Sequence, residues 1–256
     1  MAEPTPIPDD GDVPGGWTVH RFAEIDSTNR WLLDRARAGA PDRSVAVADH
    51  QTAGRGRLGR TWEARPGSSL LVSVLLRPAV EPGHLGRWST AVGLALLDAL
   101  AQLGVEARLK WPNDLVVGDA KLAGVLAEAD LAGGEVRAVV VGAGVNLRAD
   151  AVPAELAATA TACETVTGVA PDRDTLLVGF LAALDRHLAD PATLVEHARE
   201  RSATLGRQVR VELGGDRTLV GEAVALTDAG ELVVRAETGT ETVVAVGDVV
   251  HLRPLC

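Results

Sequence analysis

The sequence predicts an α+β fold with a mixed, largely antiparallel sheet and a small β-barrel at its C-terminal end. Up to about residue 204, apolar strand-like runs alternate with segments of helical periodicity. From Leu205 onward, five short strand-like runs are separated by turn residues. We therefore expect an N-terminal tail over 1–16, a main domain over 17–204 and a small domain over 205–256.

The first third of the chain predicts three strands and one helix. The tail is rich in Pro, Gly and Asp, which is typical of disorder. In the predicted helix, Asp26 or Ser27 can cap the first turn and Gly39 can end the last. Pro78 stops the third strand. The strands are expected at 17–25, 44–49 and 68–78, with the helix between the first two.

The middle of the chain predicts a core helix followed by strands. Residues 84–104 have the length and apolar face of a buried helix. A strand, a turn at Gly118 and Asp119, and a second strand follow over 107–131, and a further apolar strand covers 135–146. Helices are then expected around 154–167, 172–190 and 191–204.

Composition and charge exclude several classes of protein. The formal net charge of −10 argues against sequence-independent binding to nucleic acid or anionic membrane, because both reward basic surface. No apolar run approaches the length of a membrane span, and the N-terminus lacks the features of a signal peptide. The two cysteines, Cys163 and Cys256, have no metal-ligand spacing. We expect a soluble cytoplasmic protein.

Lysine and asparagine are scarce in this arginine-rich chain, and their positions are informative. The only lysines are Lys110 and Lys121, and the only asparagines are Asn29, Asn113 and Asn146. Five residues must lie somewhere, so chance is one explanation. Each of them nevertheless lies in or beside a motif that stands out on other grounds.

The most unusual motif is a loop rich in arginine and glycine over 53–67. Its letters GRGRLG fit the dinucleotide-binding pattern, but the apolar helix that this pattern requires does not follow. The residues that flank a kinase glycine-rich loop are also missing from this chain, and no P-loop sequence occurs in it. A solvated surface loop is the default interpretation of a basic run. A flexible loop with several guanidinium groups is also suited to wrap a carboxylate or a phosphate.

Taken together with four other motifs, this loop resembles that of the biotin protein ligases. The family's order of motifs is met by DSTN at 26–29, QTAGRGRLGRTW at 51–62, KWPND at 110–114, KLAGVL at 121–126 and GAGVN at 142–146. The resemblance covers roughly residues 20–256. Leu58 departs from the pattern, since a basic residue is often found there.

The resemblance implies a fold, a reaction and a set of ligands. The implied fold is that of class II aminoacyl-tRNA synthetases and biotin synthetases, with an SH3-like C-terminal barrel. The implied enzyme is a biotin–[biotin carboxyl-carrier protein] ligase, which uses ATP and Mg²⁺ to make biotinyl-5′-AMP and pyrophosphate. It then transfers biotin to one lysine of a biotin carboxyl carrier protein.

The resemblance also assigns candidate roles to individual residues. Lys121 would neutralise charge in the transition state, Arg57 would contact phosphates, and Asp114 would orient Mg²⁺. Arg55 would approach the carboxylate of biotin. Biotin would be bound by Ser27, Thr28, Gln51, Gly54, Arg55, Leu122, Gly124, Gly142 and Ala143, and ATP by Arg57, Arg60, Trp62, Asn113, Lys121 and Asn146, with Lys110 in the polar frame.

Simpler interpretations of these residues stay open. Ser27 and Thr28 also fit helix capping, Lys121 a surface turn, and Trp62 the packing of a core. A lipoate or octanoate ligase of the same superfamily is one alternative function, and a non-catalytic biotin sensor is another. We expect the form without an N-terminal DNA-binding domain, with no nucleic-acid or membrane partner, as a monomer or a weak homodimer.

Overall fold

Two sheets organise the residues that the computed structural model describes, which are 15–77, 85–213, 217–245 and 247–251. The larger sheet has seven strands in the order β1-β2-β3-β7-β6-β5-β4. Residues 1–14 of the predicted tail, Pro78 and Cys256 lie outside the described residues. The strands are β1 (Thr18–Ile25), β2 (Ser44–Gln51), β3 (Ser69–Leu76), β4 (Arg108–Lys110), β5 (Asp114–Val117), β6 (Ala120–Ala132) and β7 (Glu135–Asn146).

The large sheet is mixed and mostly antiparallel, as the sequence predicts. Only β1 and β2 pair in parallel, and the other neighbours are antiparallel. The longest ladder joins β6 to β7, with Gly124 opposite Gly144 and Glu128 opposite Val140. Because the side-chain period of a strand is two residues, this register decides which residues of β6 and β7 share a face.

Helices cover both faces of this sheet. They are α1 (Thr28–Arg37), α2 (Leu85–Gln102), α3 (Cys163–Thr167), α4 (Arg173–Ala189) and α5 (Leu194–Glu200). Along β2, Val45 and Val47 join the core beneath α2 and α4, whereas Ala46 and Ala48 join a second core beneath α1. Both faces are buried along this part of the strand, which explains why residues 45–48 are all apolar. Within the described residues, no helix is both long and apolar enough to cross a membrane.

The helix predicted over 154–167 is mostly wrong. Residues Ala149–Ala151 and Ala154–Leu156 form short 3₁₀ turns, and only Cys163–Thr167 is α-helical. Before α3, Ala160 forms an isolated bridge with Lys121, whose backbone bonds to Thr159 and Thr161. This pairing with β6 overrides the helix propensity of the alanines, because tertiary contacts outweigh an intrinsic preference of a few tenths of a kcal/mol, roughly, per residue.

The strand predicted at 107–117 is also divided. It forms β4 and β5, with Trp111, Pro112 and Asn113 between them. Asn113 accounts for part of the break, because its amide donates to the carbonyl of Val125 on β6 at 2.6 Å. The tight connection brings Lys110 opposite Asp114.

The C-terminal residues form a separate five-stranded antiparallel sheet, as predicted. Its order is β11-β10-β9-β8-β12, and its apolar faces enclose a small core of their own. Trp111 links it to the larger sheet, since its indole N–H donates to the carbonyl of Gly230 at 3.0 Å. The strands are β8 (Gln208–Glu212), β9 (Thr218–Leu226), β10 (Leu232–Arg235), β11 (Glu241–Val244) and β12 (Asp248–His251).

His251 lies where the two sheets meet. Its ring nitrogens contact the hydroxyl of Thr204 at 3.2 Å and the guanidinium of Arg207 at 2.8 Å. Burial, together with the positive charges of Lys110 and Arg207, lowers the pKa of His251 to about 4, although Asp119 acts in the opposite direction. The imidazole is therefore neutral in the folded protein at neutral pH.

We expect this histidine to make stability depend on pH. In the unfolded chain its pKa returns to about 6.5, so unfolding takes up a proton below that value. The stabilisation is complete above pH 6.5 and is lost progressively as the pH falls toward about 4. Urea unfolding across this range should give a steeper loss of unfolding free energy for the wild type than for His251→Gln. Equal slopes would assign the proton uptake to other groups.

Candidate active site

A cavity of about 260 Å³ lies between the large sheet and the C-terminal sheet. Its wall combines the start of α1, the end of β2, the arginine loop and strands β5, β6, β7 and β12. Thirteen of the sixteen residues assigned to biotin, ATP or catalysis line it, together with Lys110: they are Ser27, Thr28, Gln51, Arg55, Arg57, Arg60, Trp62, Asn113, Asp114, Lys121, Gly124, Gly142 and Ala143.

Three of the predicted site residues do not line this cavity. Leu122 is fully buried in the main core. The amide of Asn146 donates to the carbonyl of Thr161 at 3.0 Å, which ties the end of β7 to the segment before α3. Gly54 shapes the loop, because a Cβ at this position would lie 2.3 Å from the carbonyl oxygen of Trp62.

At one end of the cavity a lysine and a carboxylate form an ion pair. Lys121 Nζ lies 2.7 Å from Asp114 Oδ1, and both side chains are partly exposed to solvent. The two residues sit on neighbouring strands, near a bulge between Leu115 and Val116. The lysine also lies over the indole of Trp62, 5.7 Å from the ring centre. The pair places a cation and a carboxylate side by side at this end of the cavity.

Two arginines of the loop are held by the C-terminal sheet. Arg57 donates to the side-chain oxygen of Asn113 at 3.1 Å and to the carbonyl of Gly247 at 3.4 Å. Arg60 pairs with Asp248, whose carboxylate also lies 3.7 Å from Arg57. Burial lowers the pKa of Arg57 from its ordinary value, against the opposing effect of Asp248 and Asp114. A guanidinium keeps its charge at neutral pH, so the loop presents two cations beside Lys121.

The Trp62 indole packs against two glycines of the β6–β7 ladder. A Cβ on Gly144 would come within 2.4 Å of its indole, and a Cβ on Gly124 within 3.1 Å. These glycines face each other across the two strands. The sequence motifs contain both residues, but the reason for a glycine at each position becomes visible only in the packing of the indole.

The opposite end of the cavity is a hydrogen-bonded network around the start of α1. Ser27 caps the helix by accepting from the backbone N–H of Arg30 at 3.4 Å, and the backbone N–H of Thr28 donates to Gln51 Oε1 at 2.8 Å. Ser73 Oγ contacts both Thr28 Oγ1 and Asn29 Oδ1, at 2.7 and 2.6 Å. Capping and a place in the cavity wall are therefore compatible for Ser27.

Several residues of the site were missed from the sequence. Asn29 stands out by the scarcity of asparagine but received no role. Asp248 follows a glycine in a strand of the C-terminal sheet and carries no local signal. Ser73 and Glu128 look like ordinary strand residues, because their partners are distant in sequence.

Arg55 has a partner that the sequence did not indicate. The prediction places it beside the carboxylate of biotin, but its Nη2 donates to Glu128 at 2.8 Å. Glu128 also accepts from Asn29 at 2.8 Å. Arg55 is therefore joined to the network around Thr28.

The residues present suit a magnesium ion that arrives with a nucleotide. Across the ranges described, no three His, Cys, Asp or Glu side chains come together as a metal site. Asp114 contributes one carboxylate to the cavity wall. Mg²⁺ is commonly held by one or two carboxylates and by substrate phosphates, so this donor set fits a nucleotide-bound ion.

Comparisons with known proteins agree with this geometry. Residues 22–146 match the Biotin/lipoate A/B protein ligase family, and residues 204–252 match the Biotin protein ligase C terminal domain. A Biotin--[acetyl-CoA-carboxylase] ligase of Mycobacterium tuberculosis is 40% identical over 250 residues, which cover 93% of this chain and 91% of the relative. The chain belongs to the biotin protein ligase family.

Other relatives support the same family assignment. A Biotin--[acetyl-CoA-carboxylase] ligase of Paracoccus denitrificans is 35% identical, covering 88% of this chain and 97% of its own. Among solved structures, the Aquifex aeolicus biotin protein ligase in complex with biotin and ATP aligns with a TM-score of 0.79 at 28% identity. That alignment covers 92% of this chain and 99% of the other.

We expect Gly144→Ala to impair the ligase without unfolding it. The new methyl group would displace the Trp62 indole and, with it, the loop that carries Arg57 and Arg60. Biotin-dependent pyrophosphate release should fall by up to about a hundredfold, the loss that a displacement of about 1 Å can cause. Gly124→Ala, whose contact is longer, should have a smaller effect.

Gly179→Ala is the matched control for this substitution. It adds the same methyl group within α4, where the nearest atom lies at an ordinary contact distance of 3.5 Å. Its pyrophosphate release should equal that of the wild type. A Gly144→Ala enzyme as active as this control would show that the indole need not rest on the strand.

Proposed function

We propose that this chain activates biotin with ATP and then transfers it to a lysine of a biotin carboxyl carrier protein. A carboxylate oxygen of biotin attacks the α-phosphorus, the bond to the β-phosphate breaks, and pyrophosphate leaves. The lysine amine of the carrier next attacks the biotinyl carbonyl, AMP leaves, and the amine loses a proton. The observation that carries the proposal is the single cavity that unites Lys121 and the loop arginines with a polar network.

The cationic end of the cavity is suited to the nucleotide. Activation brings two anions together, so the transition state needs positive charges held in advance. Lys121 supplies a compact charge at the reacting phosphate, while Arg57 and Arg60 contact the remaining phosphates. Asp114 keeps the ammonium of Lys121 oriented and is the carboxylate available to magnesium. Trp62 offers an aromatic face to the adenine.

The network at the other end is suited to the ureido ring of biotin. Such a bicyclic ligand calls for a few fixed polar groups among apolar walls. Ser27, Thr28 and Gln51 supply the polar groups, and the β6–β7 strands supply the wall at Gly142 and Ala143. The valeryl chain then runs toward Lys121, which places the carboxylate at the phosphate end.

The arginine loop has a second role in this proposal. Biotinyl-5′-AMP is a mixed anhydride that water destroys, so it must be shielded until the carrier arrives. Arg57 and Arg60 fasten the loop to the C-terminal sheet beside the cavity. We infer that this contact holds the loop over the intermediate.

The names of the relatives and the net charge of the chain support proposals about its partners. The relatives are named for acetyl-CoA carboxylase, which supports a biotin carboxyl carrier domain as the acceptor. The net charge of −10 supports an enzyme that acts without nucleic acid. We further propose that it acts in the cytoplasm, as a monomer or a weak homodimer. We retain the division into a catalytic domain over 17–204 and a C-terminal domain over 205–256.

Lys121→Ala should abolish most of the activation step. Loss of a charge held at the transition state typically costs about 10²–10³ in rate. Pyrophosphate release from ATP and Mg²⁺ is measured with biotin, lipoate and octanoate in turn. Biotin should be the acid that is activated, and the variant should lose that activity while its circular dichroism spectrum is unchanged. Turnover with lipoate or octanoate instead would contradict the proposed substrate.

Arg57→Gly should still form the intermediate but release it early. The substitution removes the hydrogen bonds to Asn113 and Gly247, so the loop loses a tie to the C-terminal sheet. Free biotinyl-5′-AMP in the medium, measured by chromatography during turnover without a carrier, should exceed that from the wild type. Retention equal to the wild type would show that Arg57 does not hold the loop closed.

A further inference from the structure

Glu128 lies behind the cavity wall and accepts hydrogen bonds from two residues that form the wall. Its Oε2 accepts from Asn29 Nδ2 and from Arg55 Nη2, each at 2.8 Å. Asn29 and Arg55 line the cavity, while Glu128 does not. The glutamate therefore joins two parts of the wall, the start of α1 and the arginine loop, to strand β6.

This carboxylate fixes which way the Asn29 amide points. A carboxylate only accepts hydrogen bonds, so the Asn29 NH₂ group must face Glu128. The same NH₂ group donates to the carbonyl of Leu126 at 3.2 Å, which favours the same orientation. Asn29 Oδ1 is consequently turned toward Ser73, and it can only accept.

The fixed orientation of Asn29 is passed on to Thr28. Ser73 has one hydroxyl proton, and Asn29 Oδ1 at 2.6 Å requires it. Ser73 Oγ is then an acceptor for the Thr28 hydroxyl at 2.7 Å. Gln51 Oε1, 3.0 Å from the same hydroxyl, also only accepts. The Thr28 proton is thus used within the protein, and because Ser73 donates to Asn29 and not to Thr28, both lone pairs of Thr28 are left for the cavity.

We propose that Glu128 is a positioning residue that sets the proton order of this network, through Asn29 and Ser73, so that Thr28 presents an acceptor to a ureido N–H of biotin. The inference rests on the proposed function, in which this end of the cavity receives the ureido ring. The same carboxylate neutralises Arg55 and holds it at this end. Biotin recognition therefore depends on a charged group that biotin does not touch.

A second carboxylate on the same strand provides a control for a purely structural role of Glu128. Asp130, two residues further along β6, accepts from Arg37 of α1 at 3.2 Å. Both carboxylates tie α1 to β6, and both are largely shielded from solvent. Asp130 does not belong to the cavity wall or to the network around Thr28. Replacing each carboxylate by its amide separates positioning from simple attachment of the helix.

The test compares Glu128→Gln with Asp130→Asn. A glutamine lacks the charge that pairs with Arg55, and its NH₂ group can face Asn29 and turn that amide around, so that Ser73 donates to Thr28 instead of to Asn29. The dissociation constant for biotin, measured by calorimetry, and KM for biotin should rise about ten- to a hundredfold, the range expected when a buried polar group loses its partner. KM for ATP should stay within about twofold of the wild type. Asp130→Asn should leave both constants unchanged.

Ser73→Ala is a second variant that interrupts the same chain without altering the charge. It leaves the pair of Glu128 and Arg55 intact, and the Thr28 proton can then go to Gln51, so the lone pairs of Thr28 stay free and biotin affinity should remain close to that of the wild type. This variant decides the question even if Glu128→Gln does not fold. A large loss of biotin affinity in Ser73→Ala would overturn the proposed order of protons.

The outcomes distinguish this inference from the proposed function. Wild-type protein that binds no biotin would contradict the function itself. Wild-type protein that binds biotin, together with a Glu128→Gln variant of equal affinity, would overturn only the inference. An equal rise of the KM values for biotin and ATP would overturn it too, because it would assign Glu128 a structural role alone.

Discussion

The pairing of β6 with β7 is the constraint on which the candidate site depends. This ladder carries Gly124 and Glu128 on one strand and Gly142 and Gly144 on the other, and Lys121 lies on β6 just before it. A slip of one residue would turn each of these positions to the opposite face of the sheet. The strands are held in register by their packing between α1 on one face and α2 with α4 on the other. The apolar core therefore determines the geometry of the polar site.

The sequence predicts the fold and most of the cavity wall because their signals are local. Alternating apolar runs reveal the strands, and the motifs around Lys110 and Lys121 are contiguous. Local sequence signals do not predict a contact when the partner residue is distant along the chain. The alanine-rich segment after Pro153 has helix propensity, but its backbone pairs with β6, and no pattern within the segment indicates this pairing. Glu128 and Ser73 are overlooked for the same reason, since each acquires its role from residues on other elements.

The structure also separates two kinds of cation that look alike in the sequence. Arg55 and Arg57 are two residues apart in one glycine-rich motif. Arg55 pairs with Glu128 beside the start of α1, whereas Arg57 reaches Asn113 and the C-terminal sheet. The backbone turns at Arg57, which begins a short 3₁₀ segment, so the two guanidinium groups reach different parts of the cavity and a single short loop serves both. Charge density alone does not reveal this division.

The contacts of Arg57 and Arg60 with Gly247 and Asp248 make the loop a connection between the two sheets. A ligand that changes how firmly the loop is held therefore also changes how firmly the C-terminal sheet is docked. By thermodynamic linkage the reverse holds to the same extent. The bond from Trp111 to Gly230 is part of that docking, although it lies outside the loop. Changes at the interface between the two sheets, at residues that do not contact a substrate, can thus alter substrate affinity.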